Sequence, residues 1–208
     1  MPNKELRILR SLPVLKREGS KNLIVGYAAR FNEWSHDLGG FRERIAPGAF
    51  SEALKDTNIL GLYNHNPDHL LGRNGAGTMK TWEDSEGLMY EIDADVEQQF
   101  VSDLLRKLER KDLFGSSFSF RLRYDDTTWE WQEEEGSEEL PSRTILRVEK
   151  IYDVGPVTQP AYPTTTTGIR SSENILQEFR DLHNSNMPKT GATWADDLQR
   201  LERLLHLA

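Results

Sequence analysis

Ser117, His65 and a carboxylate at Glu149 or Asp153 are the residues whose types and settings could carry out acyl transfer. Ser117 lies in Gly115-Ser116-Ser117-Phe118-Ser119-Phe120. Strand alternation puts Ser116, Phe118, Phe120, Leu122 and Tyr124 on an apolar face, and Ser117, Ser119, Arg121 and Arg123 on the opposite, outward one. A nucleophilic serine needs a base within hydrogen-bond reach. His65, expected at a strand end just before Asn66-Pro67-Asp68, can present an imidazole at a cleft rim for that role. In Arg147 to Val154 the apolar row is Leu146, Val148, Tyr152 and Val154, so Glu149 and Asp153 point the other way, in the same outward sense as Ser117. Either carboxylate could hold the histidine's tautomer. Each signal alone has a plain alternative: a surface serine, a loop histidine, a solvated carboxylate pairing with Arg121 or Arg123. His69 follows His65 by four residues, but Pro67 precludes a regular helix there, and a zinc site from this pair is the weakest reading. Gly115 resembles the opening of a nucleophile elbow, yet position 119 is Ser and the setting is helix-to-strand, so that motif is not supported.

The elements that must position these residues follow from periodicity. Asn22–Phe31 alternates as a strand, and Asn58–His65 is a second, short one. Thr78–Glu83 and Leu88–Asp95 flank Asp84-Ser85-Glu86-Gly87 as a hairpin. Phe114–Tyr124 and Thr144–Val154 return to strand pattern. Arg44–Leu54 reads as a short helix entered at Pro47. From Glu97 to Lys111 the period changes: Phe100, Val101, Leu104, Leu105 and Leu108 form the apolar stripe of an amphipathic helix. Trp129–Glu139 holds six glutamates and reads as an exposed excursion. The fold class is mainly β (α+β), built as a small barrel.

Length and composition bound the function. The chain has 208 residues, room for one ordinary core and an appendage. No cysteine is present, which removes thiolate catalysis, disulfides and Cys-ligated metal. A net charge of -8 argues against nucleic acid as the main partner. No apolar run approaches 18 residues and the N-terminus lacks an apolar leader, so neither membrane insertion nor secretion is expected.

Order, spacing and flanking residues together resemble the prohead maturation proteases of tailed bacteriophages, the caudovirus prohead serine protease family. Gly26-Tyr27-Ala28 with Phe31 resembles the family's opening strand. Phe41-Arg42-Glu43-Arg44-Ile45-Ala46-Pro47-Gly48-Ala49-Phe50 is similar to its F-x-E-x-I-x-P-G-A-F signature. Asn64-His65 with Leu71-Gly72 resembles the segment carrying the catalytic histidine, and Gly87-Leu88 the hairpin before the long helix. The Gly115–Phe120 run is similar to G-M-S-F-G-F, whose nucleophile falls on Ser117. Tyr152-Asp153-Val154-Gly155 through Thr158, Pro160-Ala161-Tyr162-Pro163 and Thr167 resembles the closing E-V-S-x-V-T-x-P-A-Y-P-x-T. The departures are Ser119 for the second glycine, Asp153 for the glutamate and Gly155 for the following serine.

The resemblance covers about residues 22 to 170. It implies a compact barrel flanked by a few helices, like that of herpesvirus assemblins, over residues 1–170. It also implies a serine endopeptidase with Ser117 as nucleophile, His65 as general base and Asp153 as orienting acid, with Glu149 as the alternative acid. No cofactor or metal is expected. The partners implied are the major capsid protein with its scaffolding region, the chain itself through self-cleavage, and further copies of it. The implied place of action is the immature capsid in the host cytoplasm. Backbone donors for an oxyanion hole are expected from the Gly155–Thr158 turn or the Gly168 region. A non-catalytic capsid-assembly or scaffold protein using the same barrel is the rival reading. Residues 171–208 read as a helical tail with a linker at Ser185–Thr193. The seam of its last helix, Trp194, Leu198, Leu201 and Leu205, suits docking to scaffold helices or removal by self-processing.

Overall fold

The computed structural model describes residues 4–9, 13–113, 115–123, 128–132 and 140–158; the expected helical tail, its linker and Gly168 lie outside these. In chain order the strands are β1 (Glu5–Leu9), β2 (Val14–Glu18), β3 (Lys21–Arg30), β4 (Arg42–Ile45), β5 (Leu60–Leu62), β6 (Leu70–Arg73), β7 (Met79–Glu83) and β8 (Gly87–Asp93). After α1 (Gln99–Glu109) come β9 (Gly115–Arg121), β10 (Trp129–Gln132), β11 (Ser142–Ile145) and β12 (Lys150–Val157).

The mainly-β expectation holds, but the strands do not close into a barrel. Among the described residues they form a five-stranded sheet in the order β1-β9-β12-β5-β6, a four-stranded sheet β2-β3-β8-β7 and a three-stranded sheet β10-β11-β4. Closure needs a continuous ladder between edges. Here the short strands β5 and β6 are separated by a 3-10 turn at Pro67–His69, and another at Asn74–Ala76 ends pairing before β7.

Apolar alternation explains how the layers stick. Ile24 and Ala28 of β3, Leu88, Tyr90 and Ile92 of β8, and Phe118 and Phe120 of β9 are buried in one cluster with Phe31 and Phe50. Phe50 meets Phe118 edge-on at 5.5 Å, and Phe118 stacks on Phe120 at 4.8 Å, both favourable ring geometries. The helix buries Val101, Leu104, Leu105 and Leu108, four of its five expected stripe residues, while Phe100 is only half-buried and stacks on His69.

Three local expectations are corrected. Arg44–Leu54 is not a helix: its first two residues end β4, Gly48 sits at φ 84, and only Ala53–Lys55 forms a 3-10 turn. A left-handed residue stops helical hydrogen bonding where it occurs. Trp129–Gln132 is a strand paired with β11, not an excursion; residues 133–139 of that run lie outside the described residues. The single strand expected over Thr144–Val154 is two, β11 and β12, in different sheets.

Four charged residues tie these sheets together in the interior. Arg143 of β11 donates to Glu43 of β4 and, at 2.8 Å, to Glu5 of β1. Arg7 of β1 donates to the same two carboxylates, at 2.7 Å each. Burial alone would lower the Arg7 pKa, but Glu43 and Glu5 outweigh it and raise it. Two guanidinium groups against two carboxylates leave this cluster electrically balanced, the condition under which buried charge is tolerated.

Candidate active site

The central strand of the five-stranded sheet supplies the carboxylate, and its neighbours on either side supply the serine and the histidine. β9 pairs antiparallel with β12, and β12 pairs parallel with β5. The chain leaves β5 at Leu62 and reaches His65 within three residues.

Asn64 and His65 both adopt left-handed backbone, at φ 54 and φ 55. Asparagine visits this region readily, whereas histidine does so at a cost. The turn is held by bonds to the end of β12. Asn64 N–H donates to the Pro156 carbonyl at 3.1 Å, and the Asn64 side-chain oxygen accepts from Thr158 N–H at 2.9 Å. This strained pair swings the imidazole back over the sheet.

There His65 Nε2 lies 2.6 Å from Ser117 Oγ, and His65 Nδ1 is hydrogen-bonded to Asp153 Oδ1. The other carboxylate oxygen accepts from the Ser119 hydroxyl and, at 3.2 Å, from Lys4 Nζ. Burial raises the Asp153 carboxyl, but the His65 hydrogen bond and charge, then Ser119 and Lys4, outweigh it and hold the group below the usual carboxylate range. Asp153 is therefore an anion at neutral pH.

The three residues read from the sequence thus meet, but two inferences about their surroundings need correction. Ser117 and Ser119 are fully buried, not on a solvated face. β1 pairs along β9 with Ile8 opposite Ser117, and the Ser117 hydroxyl donates to the Arg7 carbonyl at 2.6 Å. Ser116 does face the core, where its hydroxyl meets Tyr90 Oη at 2.8 Å. The inward row on β12 also differs from simple alternation. A β-bulge between Ile151 and Asp153 leaves Tyr152 without a ladder partner. Ile151, opposite Phe120, therefore faces the core, while Asp153 lies opposite Ser119. Bulges re-aim side chains in this way next to functional sites.

Glu149 lies apart from the imidazole and pairs with Arg121 at 2.9 Å. His69 stacks on Phe100 and lies tilted against Tyr63, away from His65's partners. The stretch expected as a Gly155–Thr158 turn is strand up to Val157, and Thr158 N–H is committed to Asn64.

Sequence reasoning gave no role to Ser119, Lys4 or the Arg7 carbonyl. Ser119 had a signal, since it shares a strand face with Ser117 two residues on. Lys4 had none, because nothing local tells which site an N-terminal lysine reaches. Two of the three departures from the resembled pattern, Ser119 and Asp153, are hydrogen-bonded to each other.

A hydroxyl, an imidazole and an ionised carboxylate in hydrogen-bonded series can generate an alkoxide-like nucleophile and return its proton to a leaving group, the equipment of serine hydrolases. No curated protein and no solved structure matches the chain. The chain belongs to the caudovirus prohead serine protease family, whose model matches residues 10–178. It is accordingly a member of a serine peptidase family of tailed phages, and the family's prohead role implies dealings with capsid proteins.

Proposed function

We propose that the chain is the endopeptidase that cleaves the scaffolding region of the capsid protein inside the immature capsid, and that it also cleaves itself. Ser117 is the nucleophile, His65 the general base and Asp153 the orienting acid. The observation that carries this reading is the 2.6 Å contact of His65 Nε2 with Ser117 Oγ, with Asp153 on the far nitrogen of the same ring. Membership of the family supports it.

The proton inventory sets the order of events. The Ser117 hydroxyl has one hydrogen and two acceptors at 2.6 Å, the Arg7 carbonyl and His65 Nε2. While Arg7 takes it, His65 cannot. Ser117 is fully covered, so substrate entry requires the groups over it to move and the Arg7 carbonyl to release the hydroxyl hydrogen. The hydrogen then turns to His65, Oγ attacks the scissile carbonyl carbon, and His65 takes the proton as the tetrahedral adduct forms. His65 gives that proton to the departing amine as the C–N bond breaks. Water, deprotonated by the same imidazole, releases the acyl group and restores Ser117. Asp153 keeps Nδ1 protonated and offsets the positive charge on the ring throughout.

Residues 1–170 act as the protease domain and residues 171–208 as the segment that docks to scaffold, with copies of the chain associating in the capsid. Co-expression with the cognate capsid protein, followed by mass spectrometry, tests the reading. Wild type should shorten the capsid protein and itself, and Ser117→Ala should shorten neither. Equal processing by both chains would sink the assignment and favour the non-catalytic assembly role. Truncation after Arg170 should leave cleavage intact but remove the protein from capsids.

A further inference from the structure

The buried Ser119–Asp153 hydrogen bond has no place in the proton transfers above, although it joins the site's carboxylate to the strand that carries its nucleophile. We infer that Ser119 is a positioning residue that sets the Asp153 carboxylate, and that the two form a length-matched pair. The inference rests on the triad reading of Ser117, His65 and Asp153.

Asp153 and Ser119 are direct partners across β12 and β9, and such partners have Cβ atoms about 5 Å apart. An aspartate, with one methylene, must send Oδ1 to His65 Nδ1 from this position. Its Oδ2 is then left in a buried space, where an unmet carboxylate oxygen would be costly. Ser119 meets it with a hydroxyl one bond beyond its own Cβ, and Ser119 is itself fully buried. The second donor, Lys4 Nζ, is longer at 3.2 Å and partly exposed. The fully buried, neutral donor, carried on the neighbouring strand, is the one that fixes the plane of the carboxylate.

β9 therefore holds both ends of the relay. Ser117 and Ser119 are two residues apart on one face, about 6.7 Å along the strand, and His65 and Asp153 span the gap between them. A longer acid would drive its carboxylate into the Ser119 hydroxyl. A residue without a side chain at 119 would leave Asp153 free to rotate away from Nδ1.

Four chains test this: wild type, Ser119→Gly, Asp153→Glu and the double variant, each scored for cleavage rate of the co-expressed capsid protein and for melting temperature. Ser119→Gly should slow cleavage about 10- to 100-fold, the loss expected for one hydrogen bond to a charged group. Asp153→Glu should slow it at least as much. The double variant should recover to within about 10-fold of wild type, because a longer acid and an empty position 119 fit each other. A merely structural role predicts losses that multiply in the double variant and follow the melting temperature, and that result would overturn the inference. If the double variant does not fold, Ser119→Ala decides: full cleavage at an unchanged melting temperature also overturns it. Ser117→Ala in the same assay separates the two failures, since cleavage surviving there refutes the triad reading itself.

Discussion

Two buried clusters of charge lie on either side of β1, and they are built to opposite ends. In one, Glu5, Arg7, Glu43 and Arg143 bond charge to charge across three strands in two sheets. In the other, one carboxylate is met by an imidazole, a hydroxyl and the Lys4 ammonium. The first has no partner that gives up a proton near neutral pH, since arginine stays protonated throughout. The second is made of groups that can pass a proton along. Paired charges that never titrate immobilise, whereas an imidazole and hydroxyls in series with an anion leave a proton transferable. β1 serves both, with Glu5 and Arg7 side chains in the first and the Arg7 carbonyl on Ser117.

The sharpest break falls on the proton-passing cluster. Ser117→Ala and His65→Ala should each lower cleavage about 10⁶-fold, and the double variant no further, as expected of residues that act as a unit. Intact-mass measurement of the capsid protein reads the loss, and partial, multiplying losses would show that the cluster is not a relay. Asp153→Asn should come next, at roughly 10⁴-fold, with the fold preserved.

The balanced cluster should break differently. Arg143→Ala leaves Glu5 and Glu43 buried with a single guanidinium, and should cost about 3–5 kcal/mol of stability by urea denaturation. Cleavage per folded molecule should persist. A variant of normal stability would mean that the cluster is not what joins β1, β4 and β11.

Acid should separate the clusters more finely. The folded Asp153 pKa is depressed below its ordinary 3.8, so it adds stability above that pH and loses it as pH falls through the folded value. The stability difference between wild type and Asp153→Asn should thus be full at neutral pH and shrink below about pH 4. A constant difference would contradict an ionised Asp153. The smallest effect belongs to Glu149→Gln: its pair with Arg121 is about one-third exposed, so stability should change by under about 1 kcal/mol and cleavage hardly at all. Strong loss of cleavage there would return Glu149 to the site.

How much of this could be read beforehand follows from the range of the interactions. The α1 stripe and the Met79–Glu83 with Gly87–Asp93 hairpin depend on neighbours in sequence, and they emerged with boundaries shifted by one or two residues. Ser117 and Ser116 fell on their correct opposite faces because alternation is local too. What alternation could not show is that the Ser117 face of β9 is covered as well, because His65 and Asp153, which meet Ser117 and Ser119 there, lie far away in the chain. Nor could it show the bulge at Tyr152, a property of two paired strands. The apolar row through Val148, Tyr152 and Val154 therefore put Tyr152 where Ile151 belongs. Asp153 was aimed correctly for the wrong reason. Ser119 was visible on the right face, and only the cross-strand register gave it something to hold.

Gly155 carries a consequence for genetics. A Cβ at this position would lie 2.1 Å from the Leu62 carbonyl oxygen, so β12 and β5 come this close only because the residue has no side chain. Asp153 stands two residues before that contact and His65 three residues after it. Any side chain at 155 pries apart the strands that bring acid and base together, even though Gly155 touches no reacting group. If Ser117 and His65 act as proposed, a screen for phage defective in maturation should recover Gly155 alleles beside theirs, with the same phenotype. Such a map would count a spacer among the residues proposed to react, and only separate scoring of the folded fraction and of cleavage per folded molecule would tell them apart.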